Sequence, residues 1–161
     1  MISLKEYMKN TDVTKVKYVE HWLENGWIPG VIKGNSVSDT LFPDSARRPY
    51  CSRWLKPGIN ADKLRVHIVK ACLSRRHISR ELCFTSAREF EALVSELEQA
   101  GLIRRSVEDG ITYFDSTEKS KAYCEKSLAE LRKFVLEVLE IVSEAAAKGA
   151  VTAYLAEKMA G

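Results

Sequence analysis

Four cysteines (Cys51, Cys72, Cys83, Cys124) and three histidines (His21, His67, His77) are the side chains of this chain that could hold a metal or act as nucleophiles. A structural zinc site draws its ligands from short stretches of backbone, which produces Cys-x-x-Cys or His-x3-His spacing. Neither spacing occurs, so no metal and no other cofactor is expected. Cys72 and Cys83 fall on apolar helical stretches, where reduced cysteines pack as small hydrophobes, and no disulfide is expected. The chain also lacks a glycine-rich phosphate loop, a nucleophile elbow and a His-Glu-x-x-His zinc motif, so it reads as a non-enzyme.

The remaining chemistry is recognition by charge. Lys and Arg total 25 against 22 Asp and Glu, a net charge of +3 that is unremarkable as a total. Its distribution is uneven: residues 1–56 carry +3, residues 57–84 carry +4, residues 85–115 carry −4 and residues 116–161 carry none. Basic side chains displace counterions from a polyanion only where they cluster, so the first half is the half expected to face DNA.

With 161 residues, 45% hydrophobic and 29% charged, the chain has an ordinary globular composition with room for one domain or two small ones. That excludes collagen, mucin, wholesale disorder and a disulfide miniprotein. No apolar run approaches the roughly 20 residues of a membrane span. Residues 1–6 do not pair a basic stretch with an apolar core, so a cytoplasmic, nucleoid-associated protein is expected.

Three regions follow from period and punctuation. In the first, residues 1–56, Ser3-Leu4-Lys5-Glu6 is a capping box that predicts a two-turn helix over 4–9. After a turn, Thr14 is expected to cap a second helix reaching Asn25, with Val16, Val19 and Leu23 on its apolar face and Gly26 as its stop. Two short helices around a tight turn make a helix-turn-helix candidate. Ile28-Pro29-Gly30-Val31-Ile32-Lys33 and Thr40-Leu41-Phe42-Pro43 read as a hairpin, or wing, around a polar tip.

The order of these words, Ser3-Leu4-Lys5-Glu6-Tyr7, Val16-Lys17-Tyr18-Val19, Glu24-Asn25-Gly26-Trp27-Ile28-Pro29-Gly30 and Phe42-Pro43-Asp44-Ser45-Ala46-Arg47-Arg48-Pro49, resembles the MerR-like or excisionase-type winged helix-turn-helix. The resemblance covers the N-terminal third. It implies a recognition helix in the DNA major groove, with Thr14, Lys15, Lys17, Tyr18 and His21 as candidate base contacts. Lys33, Arg47, Arg48, Arg53 and Lys56 are the candidate phosphate contacts. Trp22, Trp27 and Trp54 are expected in core or hinge packing.

In residues 57–116, Asn60 caps a predicted helix over 61–75, a short helix follows near 79–82, and Ser86-Ala87-Arg88-Glu89 opens a third that Gly101 stops. Leu102-Ile103-Arg104-Arg105 and Ile111-Thr112-Tyr113-Phe114 flank the hairpin signal Asp109-Gly110. Leu97-Glu98-Gln99-Ala100-Gly101-Leu102-Ile103 looks like the end of the third helix and the first wing strand of bacterial winged-helix regulators. Arg75, Arg76, Arg80, Ser86 and Arg88 are its candidate DNA contacts, while the acidic character of residues 85–100 suits a protein partner equally well.

In residues 117–161, Leu128, Leu131, Val135, Val138 and Val142 lie on one heptad seam, which predicts a long helix joining two copies of the chain. The expected fold is therefore mainly α with small β-wings, as two winged helix-turn-helix units and a long C-terminal oligomerisation helix. The expected function is sequence-specific binding of double-stranded DNA as a dimeric transcriptional regulator. The rivals are a DNA-architectural factor, such as an excisionase or a segregation adaptor, and a winged-helix protein-interaction module.

Overall fold

The computed structural model describes residues 1–126 and, beyond them, Glu130, Lys133, Leu136 and Glu137. Six helices are assigned among these residues: α1 (Leu4–Asn10), α2 (Val16–Glu24), α3 (Ala61–Leu73), α4 (Arg80–Cys83), α5 (Ala87–Gln99) and α6 (Ser120–Cys124). Strands β1 (Ile103–Glu108) and β2 (Ile111–Ser116) form one antiparallel two-stranded sheet.

Local chemistry accounts for most of the helix starts. Ser3, Asn60, Ser79 and Ser86 each accept a hydrogen bond from a backbone N–H of the turn they cap, satisfying a donor that the helix itself leaves orphaned. The predicted Thr14 cap does not form: Lys15 stands at that position and offers no side-chain bond. Asp109 and Gly110 both adopt positive φ, 53° and 75°, the backbone a tight hairpin turn requires, and they set the β1–β2 register that places Arg105 opposite Phe114.

This architecture corrects the expected fold class. It is a small mixed α/β arrangement with a single hairpin among the described residues, rather than a mainly α pair of winged units. The first wing does not form as strands: Ile32 and Leu41 make one isolated bridge, and the tip is a 3-10 turn over Val37–Asp39. Phe42, which would extend that hairpin, exchanges both of its backbone hydrogen bonds with Ile2 instead, at 2.7 and 2.9 Å. Pro29 and Pro43 flank the segment and have no N–H to donate. No long C-terminal helix is present among the described residues. The helix that begins at Ser120 ends at Cys124, and the seam residues Leu128, Leu131, Val135, Val138 and Val142 lie outside them.

Two apolar clusters form the core. Tyr7, Val13, Val19, Trp22, Leu23, Ile28, Phe42 and Ala46 make the first, with Tyr7 and Phe42 stacked at 4.3 Å between ring centres. The second gathers Leu64, Ile68, Val69, Ala71 and Cys72 of α3 against Phe90, Val94 and Leu97 of α5, Ile103 and Phe114 of the hairpin, and Tyr123. Trp27 packs against both, so the two clusters share one wall.

Polar ties lock the same junction. Arg47 donates to the Asp115 carboxylate at 2.7 Å and to the Phe114 carbonyl at 3.2 Å, with its guanidinium over the Tyr113 ring. Ser45 N–H donates to Asp109 at 3.0 Å. Gly30 sits so close to the hairpin that a Cβ there would fall 2.9 Å from both Ile111 Cδ1 and Pro43 Cγ, and its φ of +76° also favours glycine. The Ile-Pro-Gly word thus closes the N-terminal part onto the sheet.

Candidate nucleic-acid interface

The basic side chains separate into two populations once their partners are known. Arg47 is paired with Asp115 and is 9% exposed; Arg65 bridges Asp62 and Glu96 at 3.0 Å each; Arg105 bridges Glu91 at 2.9 Å and Glu98 at 2.6 Å. Arg80 pairs with its neighbour Glu81 at 3.3 Å on the surface. By contrast Lys15, Lys17, Lys33, Arg48, Arg53, Lys56, Arg75, Arg76 and Arg88 form no ion pair with a carboxylate among the described residues. A cation without a protein counter-charge is the one that gains most from a phosphate.

Helix α2 carries the first of these. Its apolar stripe, Val19, Trp22 and Leu23, is buried, which turns Lys15, Lys17, Tyr18 and His21 outward. Tyr18 is 45% exposed, and the Lys17 ammonium lies 5.6 Å from its ring centre. His21 stands at right angles to Trp27 with 5.3 Å between ring centres, and its backbone carbonyl accepts a hydrogen bond from Asn25 Nδ2 at 2.8 Å, so it is held as well as exposed. Thr14 is exposed just ahead of the helix. Glu20 and Glu24 also face solvent on α2 and leave its N-terminal end as the more cationic one.

The second group surrounds a polar cleft of about 610 Å³ between the turn after α1, residues 44–48, and the end of α3. Arg48, Arg75 and Arg76 line it, together with Asn10, Thr11 and Ser74; Asp12, Asp44 and Glu108 are on the same wall. Arg75 is held at φ +53°, a left-handed conformation that a long side chain seldom adopts. Arg48 lies over the Trp22 ring at 5.6 Å, which links this cleft to the buried side of α2.

Arg47 leaves the set of phosphate contacts, because it is buried and saturated by the hairpin. The sequence offered no signal separating it from Arg48: the two are adjacent, and only the approach of β2 decides between them. Lys33 borders a shallow cleft with Glu20 and Glu24, and Lys56 is exposed in the loop before α3. The Ser86 hydroxyl is engaged as the α5 cap, accepting from Glu89 N–H at 3.1 Å, while Arg88 is exposed one turn away. Trp54 was expected in packing and is 62% exposed, with Arg53 over its ring at 4.8 Å. Trp22 and Trp27 do pack as expected, the first at 5% exposure.

Burial sets the protonation of several interior groups. Burial pushes the Cys72 and Cys83 thiols up to about 12, so neither supplies a thiolate at neutral pH. Burial, with the Arg47 charge adding to it and Glu81 opposing, lowers His77 to about 4 and keeps its ring neutral. Among the described residues no three His, Cys, Asp or Glu side chains converge as a metal site, and no helix is long and apolar enough to cross a membrane.

Compared with protein families, curated proteins and solved structures, the chain has no match.

Proposed function

We propose that this chain binds double-stranded DNA and acts as a sequence-dependent regulator, with α2 in the major groove and the Arg48–Arg75–Arg76 cleft on the phosphate backbone. The observation that carries this reading is the division between cations. Lys15 and Lys17 at α2, Lys33, Arg48, Arg53 and Lys56 after it, and Arg75 and Arg76 after α3 have no carboxylate partner among the described residues, whereas Arg47 is held by Asp115 and Arg65 and Arg105 are each held by two carboxylates. The α1–turn–α2 order and the outward Lys15, Lys17, Tyr18 and His21 supply groups that donate to phosphates and to base edges.

A second reading is favoured by one specific feature. The face made by α5 and the hairpin has Glu89, Glu91, Glu108 and Asp109 exposed while Arg105 is consumed internally, an acidic surface that suits a basic protein partner.

The test is retention of random genomic duplex fragments across a salt series, followed by sequencing of what stays bound. Enrichment of a common sequence, with affinity falling steeply as salt rises, supports the proposal. No retention even at low salt rejects it and leaves the protein-partner reading.

A further inference from the structure

A cleft of about 340 Å³ lies between α2, the loop at residues 50–55 and the C-terminal end of α4. Trp22, Trp27 and Tyr50 contribute aromatic rings to its lining, and Tyr18, His21, Cys51, Arg53 and Phe84 are its exposed lining residues. Among the described residues no acidic side chain lines it. That volume is within the range of about 300–1,000 Å³ typical of small-molecule sites.

Phe84 is the unusual residue. It caps α4 in the left-handed conformation, φ 55° and ψ 41°, and is 50% exposed. Glycine or asparagine fills that position at lower cost, and a bulky side chain there is an outlier that needs a compensating use. Such strain is found where a side chain is held for a ligand. Three cation–ring pairs each include a lining residue of the cleft: Lys17 lies on Tyr18, Arg48 on Trp22, and Arg53 on the exposed Trp54.

We infer that this cleft takes an unpaired nucleotide, its base stacked against Phe84 and Tyr18 and its phosphates met by Arg53 and Lys17. A strand of nucleotides repeats one planar apolar face and one negative charge, which matches rings with cations lying on them, and stacking accepts any base. The inference goes beyond duplex binding, and the residues that test it lie off α2: Phe84 in the lining, and Trp54, the ring on which the lining residue Arg53 rests and which offers a neighbouring base of the strand a second stacking face.

The experiment uses the full chain and an oligothymidylate of about ten nucleotides, a length within the usual single-strand site sizes. The oligonucleotide is expected to quench tryptophan emission at low salt. Phe84→Gly and Trp54→Ala should each weaken that binding about 10-fold, the scale of one lost stacking contact, without altering affinity for blunt duplex. Phe84→Gly should also melt no lower than the parent, because glycine relieves the left-handed strain, so its loss of binding is not a loss of folding. Duplex binding without quenching by the oligonucleotide overturns this inference alone; quenching without duplex binding keeps it and overturns the duplex proposal. Quenching that both variants leave unchanged, or that a phenylalanine-containing polyglutamate peptide produces and the oligonucleotide does not, also overturns it, the latter in favour of an acidic protein partner.

Discussion

Arg47 and Arg48 are neighbours in the chain with opposite fates. Arg47 is 9% exposed, bonded to Asp115 and Phe114 and stacked on Tyr113, whereas Arg48 is half-buried over Trp22 and opens onto the polar cleft without a carboxylate partner among the described residues. The same contrast recurs along the chain: Arg65 on α3 and Arg105 on the hairpin hold elements together, whereas Lys15 and Lys17 at α2 and Arg75 and Arg76 after α3 have no carboxylate partner among the described residues. A guanidinium with two carboxylates has already traded its water for protein partners and has little left for a phosphate. One without them keeps that capacity, so the count of basic residues matters less than their pairing.

The largest effect should come from breaking the internal side of the comparison. Arg47→Ala removes the guanidinium from the Asp115 carboxylate, which keeps only the Ser106 hydroxyl, and from the Phe114 carbonyl at the junction of the two clusters. It should lower unfolding free energy by about 3 kcal/mol, at the low end for a broken buried pair because Asp115 remains 30% exposed. Urea denaturation measures this, and a change as small as that of Arg48→Ala would erase the distinction between the two.

His77 sharpens the same side. Its folded-state pKa of about 4 lies below the ordinary 6.5, so the unfolded chain binds the proton more readily in between, and stability falls as pH drops from 6.5 towards 4. The loss should reach about 2–3 kcal/mol and be absent in His77→Phe, read as melting temperature against pH. Asp115 acts in a separate window. Burial raises its pKa, but hydrogen bonds from Arg47 and Ser106 and the Arg47 charge outweigh that and hold it below 3.8, so its contribution is complete above that pH and is lost only as pH falls through the lower folded value.

On the other side, the combined variant Arg48→Ala, Arg75→Ala and Arg76→Ala should reduce duplex affinity roughly 10–100-fold and flatten the salt dependence by up to about three phosphate contacts. Fluorescence anisotropy with labelled duplex measures both. An unchanged salt slope would remove the cleft from the interface.

The smallest effect is expected at Arg105. It is 33% exposed and its partner Glu91 is 59% exposed, so Arg105→Ala should cost under about 1 kcal/mol and leave duplex affinity as it was. A fall in affinity equal to that of the triple variant would overturn the division between paired and available cations.

Several elements were legible before any coordinate. The serine caps at Ser3 and Ser86, the Asn60 cap, the 3–4 apolar spacing of α5 and the Asp109-Gly110 turn all act within a few residues, and each appears as read. The first wing was misread because strand formation depends on what a backbone meets. Residues 28–43 alternate and turn like a hairpin, but Phe42 finds Ile2, distant in sequence, before it finds the rest of its own arm. Phe84 gave no warning, since a phenylalanine between a short helix and a serine cap looks like any core residue.

Local sequence thus settled where α1, α3, α4, α5 and the hairpin begin, and where positive charge concentrates, because caps, turns and charge composition need only neighbouring residues. The tertiary structure alone decided which arginines are spent and which remain, that Trp54 and Phe84 face outward, and that Trp27 joins two cores. Those outcomes depend on which distant carboxylate, ring or carbonyl comes within a few ångströms, and chain order does not encode that proximity.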